Sequence, residues 1–185
     1  MKQYQIRTKS GFLLYIRHLK EGDAPYLVDL FEHMGPESRY RRFLQSLDNP
    51  NMNLVWREAE RIAHGDPKTH DGLIAFADLP YQLDAPVAVV RYVMVESGVA
   101  EVALSVRDDM QGQGIGTQML QMLTTIARDN GVRKLVATAQ NENEAIWTVL
   151  ERLPFPMVRA PEGVCSNLEI DLTIYKEEAL KTVQV

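Results

Sequence analysis

Between an apolar run at residues 102–106 and a helix-periodic run at 115–127 stands Gln111-Gly112-Gln113-Gly114-Ile115-Gly116, with three glycines in five positions. Glycine has no Cβ and reaches positive φ without strain, so a loop of this kind lets bare backbone N–H groups converge where a helix presents its positive end. That is the chemistry of a phosphate cradle. A plain strand-to-helix turn would account for one glycine but hardly for three.

The rest of the chain sets the frame for this loop. Residues 3–7 and 12–16 predict an opening hairpin joined by Thr8-Lys9-Ser10-Gly11. Asp23 stands as an N-cap before a helix over 24–34, and Gly35 stops it. A second helix is expected over 38–47, with Arg39, Arg41 and Arg42 interleaved with Tyr40, Phe43 and Leu44; it is either a solvated basic face or a wall of a substrate cleft. A third helix is expected over 51–64, and residues 65–72 read as loop. Strands follow at 73–78, 86–95 and 99–106, the middle one apolar on both faces except at Arg91, as a covered central strand should be. After the glycine loop come a helix ending at Asn130-Gly131, a buried strand at 133–139, a helix over 143–153 ended by Pro154 and Pro156, and a one-sided strand over 168–174. The strand at 133–139 follows a helical crossover, so it should run parallel to 99–106. The sum is a mixed α+β fold in a single domain over 1–185: about seven strands, largely antiparallel, with no repeat or linker.

The loop spacing excludes two familiar phosphate binders. It is G-x-G-x-G where a dinucleotide fold needs G-x-G-x-x-G, it lies behind antiparallel strands, and no acidic residue ends the strand near 139. No G-K-[ST] follows, which excludes a P-loop. The pattern present is Gln111-x-x-Gly114-x-Gly116 after a hydrophobic strand and opening an amphipathic helix. Here the chain resembles the GNAT superfamily of N-acetyltransferases. Residues 101–120, EVALSVRDDMQGQGIGTQML, look like that superfamily's strand, loop and helix for coenzyme A, and Asn143 through Phe155 is similar to its later helix. IRHLKEGDAPYLVDLF and SRYRRF look like the opening of the GNAT domains in bacterial Pat-type protein-lysine acetyltransferases.

The resemblance implies helices on both faces of a sheet splayed between 99–106 and 133–139, with the pantetheine arm of acetyl-CoA in the gap. It would bond to backbone at Leu104, Ser105 and Val106, the pyrophosphate lying on the loop Gln111, Gly112, Gln113, Gly114, Ile115, Gly116 and Thr117. Asn143 matches a residue that bonds the pantetheine, and reads equally well as a helix N-cap. Glu101 is the candidate general base, sharing a strand face with Ala103 and Ser105; Glu96 or an acidic residue of 65–72 is the alternative. Many relatives carry a tyrosine as general acid where this chain has Leu150, which leaves Tyr92, solvent or the amine proton to protonate the thiolate. Pro154 stands where the family has glycine, stiffening that turn.

The bulk numbers are compatible with this. With 185 residues, 20 Lys and Arg against 25 Asp and Glu give a net charge of −5, which suits an amine acceptor, small molecule or protein lysine, better than nucleic acid. No apolar run reaches membrane-spanning length, and the lone Cys165 implies neither a disulfide nor a metal site, so a cytoplasmic protein is expected. The oligomeric state stays open, a homodimer included. The enzyme reading is acetyl transfer from acetyl-CoA to a primary amine with no metal; its rival is a non-catalytic acetyl-CoA sensor.

Overall fold

The computed structural model describes residues 3–66 and 68–176. Its centre is one sheet of eight strands: β1 (Gln3–Arg7), β2 (Leu13–His18), β3 (His70–Leu79), β4 (Gln82–Glu96), β5 (Val99–Val106), β6 (Lys134–Gln140), β7 (Met157–Glu162) and β8 (Cys165–Asp171). Their order across the sheet is β1-β2-β3-β4-β5-β6-β8-β7, and only β5 with β6 is a parallel pair. Among the described residues five α-helices accompany it: α1 (Ala24–Glu32), α2 (Pro36–Phe43), α3 (Met52–Ala63), α4 (Ile115–Asp129) and α5 (Glu144–Glu151). None of the described helices is long and apolar enough to cross a membrane.

Period-2 alternation sorts the central strands between two cores. On one face Leu73, Ala75, Ala88, Val90, Ala100 and Val102 pack under α4 and α5; on the other Ile74, Phe76 and Val89 pack under α1 and α3. Along α4, Ile115, Met119, Leu123 and Ala127 recur at helical spacing and all are at most 1% exposed. Burying a side chain of that size stabilises by about 1.5–3 kcal/mol, so α4 is firmly seated and the loop before it is anchored at one end. Gly131 follows at φ 84°, the left-handed stop expected from its sequence.

The parallel pair is short. β5 and β6 are in register only at Val99 with Lys134, Ala100 with Leu135 and Glu101 with Val136. Beyond Glu101, β5 stays with β4 up to Val106, and β6 stays with β8 up to Gln140. The sheet therefore opens like a V from the level of Glu101.

The architecture is as expected, and three details within it are corrected: the end of the last strand, the role of Asp23 and the length of the second helix. The sheet has eight strands for the about seven expected, the added one being β7, an outer strand of wholly exposed or half-exposed residues carrying Pro161; an edge strand without a buried face shows no alternation to read. The last strand ends at Asp171, with Thr173 and Ile174 beyond it, because the Asp171 carboxylate accepts hydrogen bonds from Thr173 and turns the chain. Asp23 does not cap α1 with its side chain; it is 1% exposed and receives two hydrogen bonds from Arg17 at 2.6 and 2.9 Å. A buried carboxylate gains more from a bidentate guanidinium than from one backbone N–H. The second helix is also shorter than expected, ending at Leu44 in a left-handed conformation.

Candidate functional site

A cavity of about 880 Å³ fills the opening of the V. β5 supplies Glu101, Leu104, Ser105 and Val106, the loop supplies Gln111, Gly112 and Gly114, the start of α4 supplies Ile115, Gly116 and Thr117, and Asn143 stands across the gap. Gln113 is the one residue of the predicted set that does not line it. Its carbonyl accepts from the Lys9 N–H at 3.2 Å and its side chain receives the Ser10 hydroxyl, so it ties the loop to the turn of the opening hairpin.

The loop geometry explains its glycines. Gly112 and Gly114 lie at φ 72° and 82°, where a Cβ is strained, and Gly114 hands directly into the first turn of α4. Gly116 fits for a different reason: a Cβ there would meet Leu104 at 3.1 Å, with Val149 and Val106 just beyond, so a larger residue would have to push the Leu104 side chain aside for α4 to approach β5 this closely. The first-turn N–H groups of α4 have no acceptor within the helix and point toward the loop side, where an anion is favoured. The Gln111 amide donates to the Val106 carbonyl, to Asp108 and to Ser38, binding the loop to the end of β5 and to α2. Asp108 in turn accepts from the Gly35 N–H at 2.9 Å. Sequence reasoning missed Lys9, which lines the cavity and lies nearest to Gly114. Its place beside the loop follows from the hairpin's long-range contact, which has no local signal.

The other half of the cavity is built from side chains. The second helix is a cleft wall: Ser38, Arg41, Arg42, Phe43 and Leu44 all line the cavity. Glu101, Val136 and Glu169 stand in one row across β5, β6 and β8, at the root of the V, and Glu169 is paired with Lys134 at 2.7 Å. On the same face Arg91 sits opposite Ala103, one pleat from Glu101. Burial, and then the neighbouring Arg91 charge, bring the Arg42 guanidinium down to about 10, against the opposing pull of Glu101 and Glu58. Arg91 is lowered as well, first by burial and then by Arg61. Glu58 is lowered, chiefly because Arg61 donates to its carboxylate. All three arginines remain charged at neutral pH.

Several alternatives do not reach the cavity. Tyr92 is buried on the α4 face, where its hydroxyl receives Asn130 at 2.9 Å, and burial raises its pKa. Glu96, the described residues of 65–72 and Cys165 are outside the lining too. Leu150 does line it, buried, so α5 offers no hydroxyl at that position. Asn143 caps α5 by accepting from the Ile146 N–H at 3.2 Å while facing the cavity, so its two readings hold together. The described residues hold no group of three His, Cys, Asp or Glu able to bind a metal.

Comparison with known proteins points the same way as the geometry. The acetyltransferase (GNAT) domain family matches residues 14–155. Acetyltransferase Pat of Mycolicibacterium smegmatis is 28% identical over 169 residues, which cover 90% of this chain and 48% of that protein, so the chain spans about half the length of this relative. The crystal structure of the GNAT domain of S. lividans PAT superposes with a TM-score of 0.77 at 25% identity, covering 91% of this chain and 96% of that one. The PaiA N-acetyltransferase from Thermoplasma acidophilum in complex with coenzyme A shares the fold, with a TM-score of 0.63 at 14% identity over 85% of this chain and 98% of that one.

Proposed function

This chain belongs to the acetyltransferase (GNAT) domain family, and from that premise we propose that it moves an acetyl group from acetyl-CoA to a primary amine. The observation that carries the reading is the parting of β5 from β6 after Glu101, directly in front of the glycine loop. Parted parallel strands leave inward N–H and C=O groups unpaired, and an unpaired buried group costs about 1–3 kcal/mol. A pantetheine arm carries amides of the right kind to answer those of Leu104, Ser105 and Val106. The pyrophosphate then lies against the N–H groups of the loop and the first turn of α4, with the Lys9 ammonium as a counter-charge.

In this reading the acceptor enters between α2 and the row Glu101–Val136–Glu169. Glu101 takes a proton from the ammonium, directly or through water, and the free amine attacks the thioester carbonyl. A backbone N–H of β5 stabilises the oxyanion as the C–N bond forms. The C–S bond then breaks, and the second amine proton goes to the departing thiolate, since Leu150 gives the cavity wall no hydroxyl there. Leu150 is also the observation that favours a second reading, a domain that binds acetyl-CoA without turning it over. The similarity to acetyltransferase Pat supports acetyl transfer, and protein lysines stand beside small amines as a candidate acceptor class. Calorimetry with acetyl-CoA, followed by thiol release over a panel of small amines and lysine-bearing proteins, tests both. Binding with turnover is expected; tight binding without turnover on any amine would establish the sensor, and no binding at all would remove both.

A further inference from the structure

Hydroxyl groups are the neutral proton carriers available to this cavity, because its lining among the described residues holds no tyrosine, histidine or cysteine. The hydroxyl side chains on it are Ser38, Ser105, Thr117, Thr138 and Thr148. Ser38 accepts from the Gln111 amide, Thr138 donates to the Asn167 side chain at 2.9 Å, and Thr148 donates to the Glu144 carbonyl at 2.9 Å. Thr117 stands on the first turn of α4, at the anion end. Ser105 is of another kind: it is 9% exposed, and its hydroxyl has no hydrogen-bond partner among the described residues. The remaining buried polar or charged side chains, Thr8, Asp23, Arg107, Thr124 and Ser166, all have one. Buried hydroxyls are bonded as a rule, so one left open toward a cavity is placed for something that enters it.

The register of β5 sets where that hydroxyl stands. The Arg107 N–H donates to the Val87 carbonyl of β4 at 3.0 Å, and the Gly98 carbonyl accepts from Lys134 of β6 at 3.0 Å. Backbone polar groups alternate sides along a strand, so Leu104 and Val106 turn theirs into the V, where β6 has parted. Ser105 lies between them, its side chain on the face of Glu101 and Ala103. Whichever of the two N–H groups takes the thioester oxygen, the Ser105 hydroxyl is one residue away. Glu101 lies four residues back toward the root of the V, so the proton it removes from the ammonium is not returned at the sulfur. We infer that Ser105 is a catalytic residue of the transfer, relaying the second amine proton to the sulfur of the departing coenzyme. The inference rests on the acetyl-transfer reading and adds a proton path to it. A hydroxyl donates and accepts at once, which is what a relay requires. After attack the nitrogen is cationic and the former carbonyl oxygen is an oxyanion. As the C=O bond re-forms and the C–S bond breaks with its electron pair on sulfur, the Ser105 Oγ gives its proton to sulfur and takes one from nitrogen. An amide and a free thiol leave, and Ser105 is as it began. The apolar wall of Ile146, Val149 and Leu150 across the gap has no proton to give.

The test uses the amine that the thiol-release panel finds best. Ser105→Ala should lower kcat by about 100-fold, the lower end of what a positioned proton donor is worth. The acceptor KM and the calorimetric affinity for acetyl-CoA should stay within about twofold of the wild type, since a relay acts only in the transition state. The thermal midpoint should not fall, because the hydroxyl has no partner among the described residues to lose. Ser105→Thr keeps the hydroxyl and should recover part of the lost rate. In mixtures of H2O and D2O the wild-type kcat should fall along a curve, as two protons moving in one step require, and that of Ser105→Ala along a straight line. A wild-type kcat in Ser105→Ala would overturn the relay, as would a threonine variant as slow as the alanine one or a straight line in the wild type. Weakened acetyl-CoA binding with kcat unchanged would make Ser105 a contact of the bound arm, and a lowered midpoint would make it a structural residue; either overturns the relay. A wild-type protein that binds acetyl-CoA and releases no thiol with any amine would instead remove the acetyl-transfer reading itself, a failure visible without any variant.

Discussion

The two halves of the cavity solve opposite problems with opposite materials. The loop from Gln111 to Gly116 makes an anion site from backbone: left-handed Gly112 and Gly114, a missing Cβ at Gly116 and the open end of α4. The wall from α2 and β5 makes its site from side chains: Ser38, Arg42 and Glu101, drawn from segments far apart in the chain. A backbone site fixes what every donor of one kind has in common. A side-chain site sets what differs among acceptors, and single substitutions can change it.

The largest expected effect falls on the side-chain half. Glu101→Gln should lower kcat by about 10²–10⁴-fold, the usual worth of a positioned general base, and leave acetyl-CoA affinity measured by calorimetry close to that of the wild type. Loss of both together would mean that the two halves are not separable. Next is Gly114→Val, which places a β-branched residue at φ 82° and a bulky group where Lys9 and Gln118 approach. Strain of about 1–3 kcal/mol and a blocked cradle should weaken acetyl-CoA binding by about 100-fold, while a chain that does bind still shows the wild-type ranking of acceptors. An altered ranking would break the division. Smaller again is Gln111→Ala, which removes the amide joining Val106, Asp108 and Ser38. At about 0.5–1.5 kcal/mol per net hydrogen bond, it should cost about that much stability in urea unfolding and raise the KM of both substrates a few-fold, since this residue joins the loop to α2. A change confined to one substrate would show that the halves are not linked through it.

The sequence made these halves legible to different degrees. The loop is contiguous, and its glycine spacing, its flanking strand and its helix lie within one short window, so its place in the cavity is readable apart from Gln113, whose partners Lys9 and Ser10 are distant. The parallel pairing of β5 and β6 followed from the crossover through α4. Arg42 was visible only as a charge on a helix; its place on the cavity wall with Glu101 depends on where α2 lies over β5, which has no local signal. β7 left no periodic trace because no side of it is buried, and Asp23 was misread because its partner Arg17 lies on β2.

The smallest effect is the sharpest test of the contrast, because both halves use a left-handed residue. In the loop those residues are glycines. At the end of α2 it is Leu44, at φ 54°, with its side chain on the cavity wall. A non-glycine residue in this region costs about 1–2 kcal/mol, so Leu44 is tolerated for what its side chain does. In Leu44→Gly, relief of that strain is opposed by the entropy of a new glycine, about 0.5–1 kcal/mol, and by lost burial of a side chain that is already 38% exposed. The terms nearly cancel, so the thermal midpoint should move by less than about 2 °C, given about 2–4 °C per kcal/mol in a chain of this size. The KM of the acceptor should nevertheless rise several-fold, and that of acetyl-CoA should not. A rise in the midpoint with no change in acceptor KM would show that Leu44 is only strain and that α2 does not shape the acceptor site.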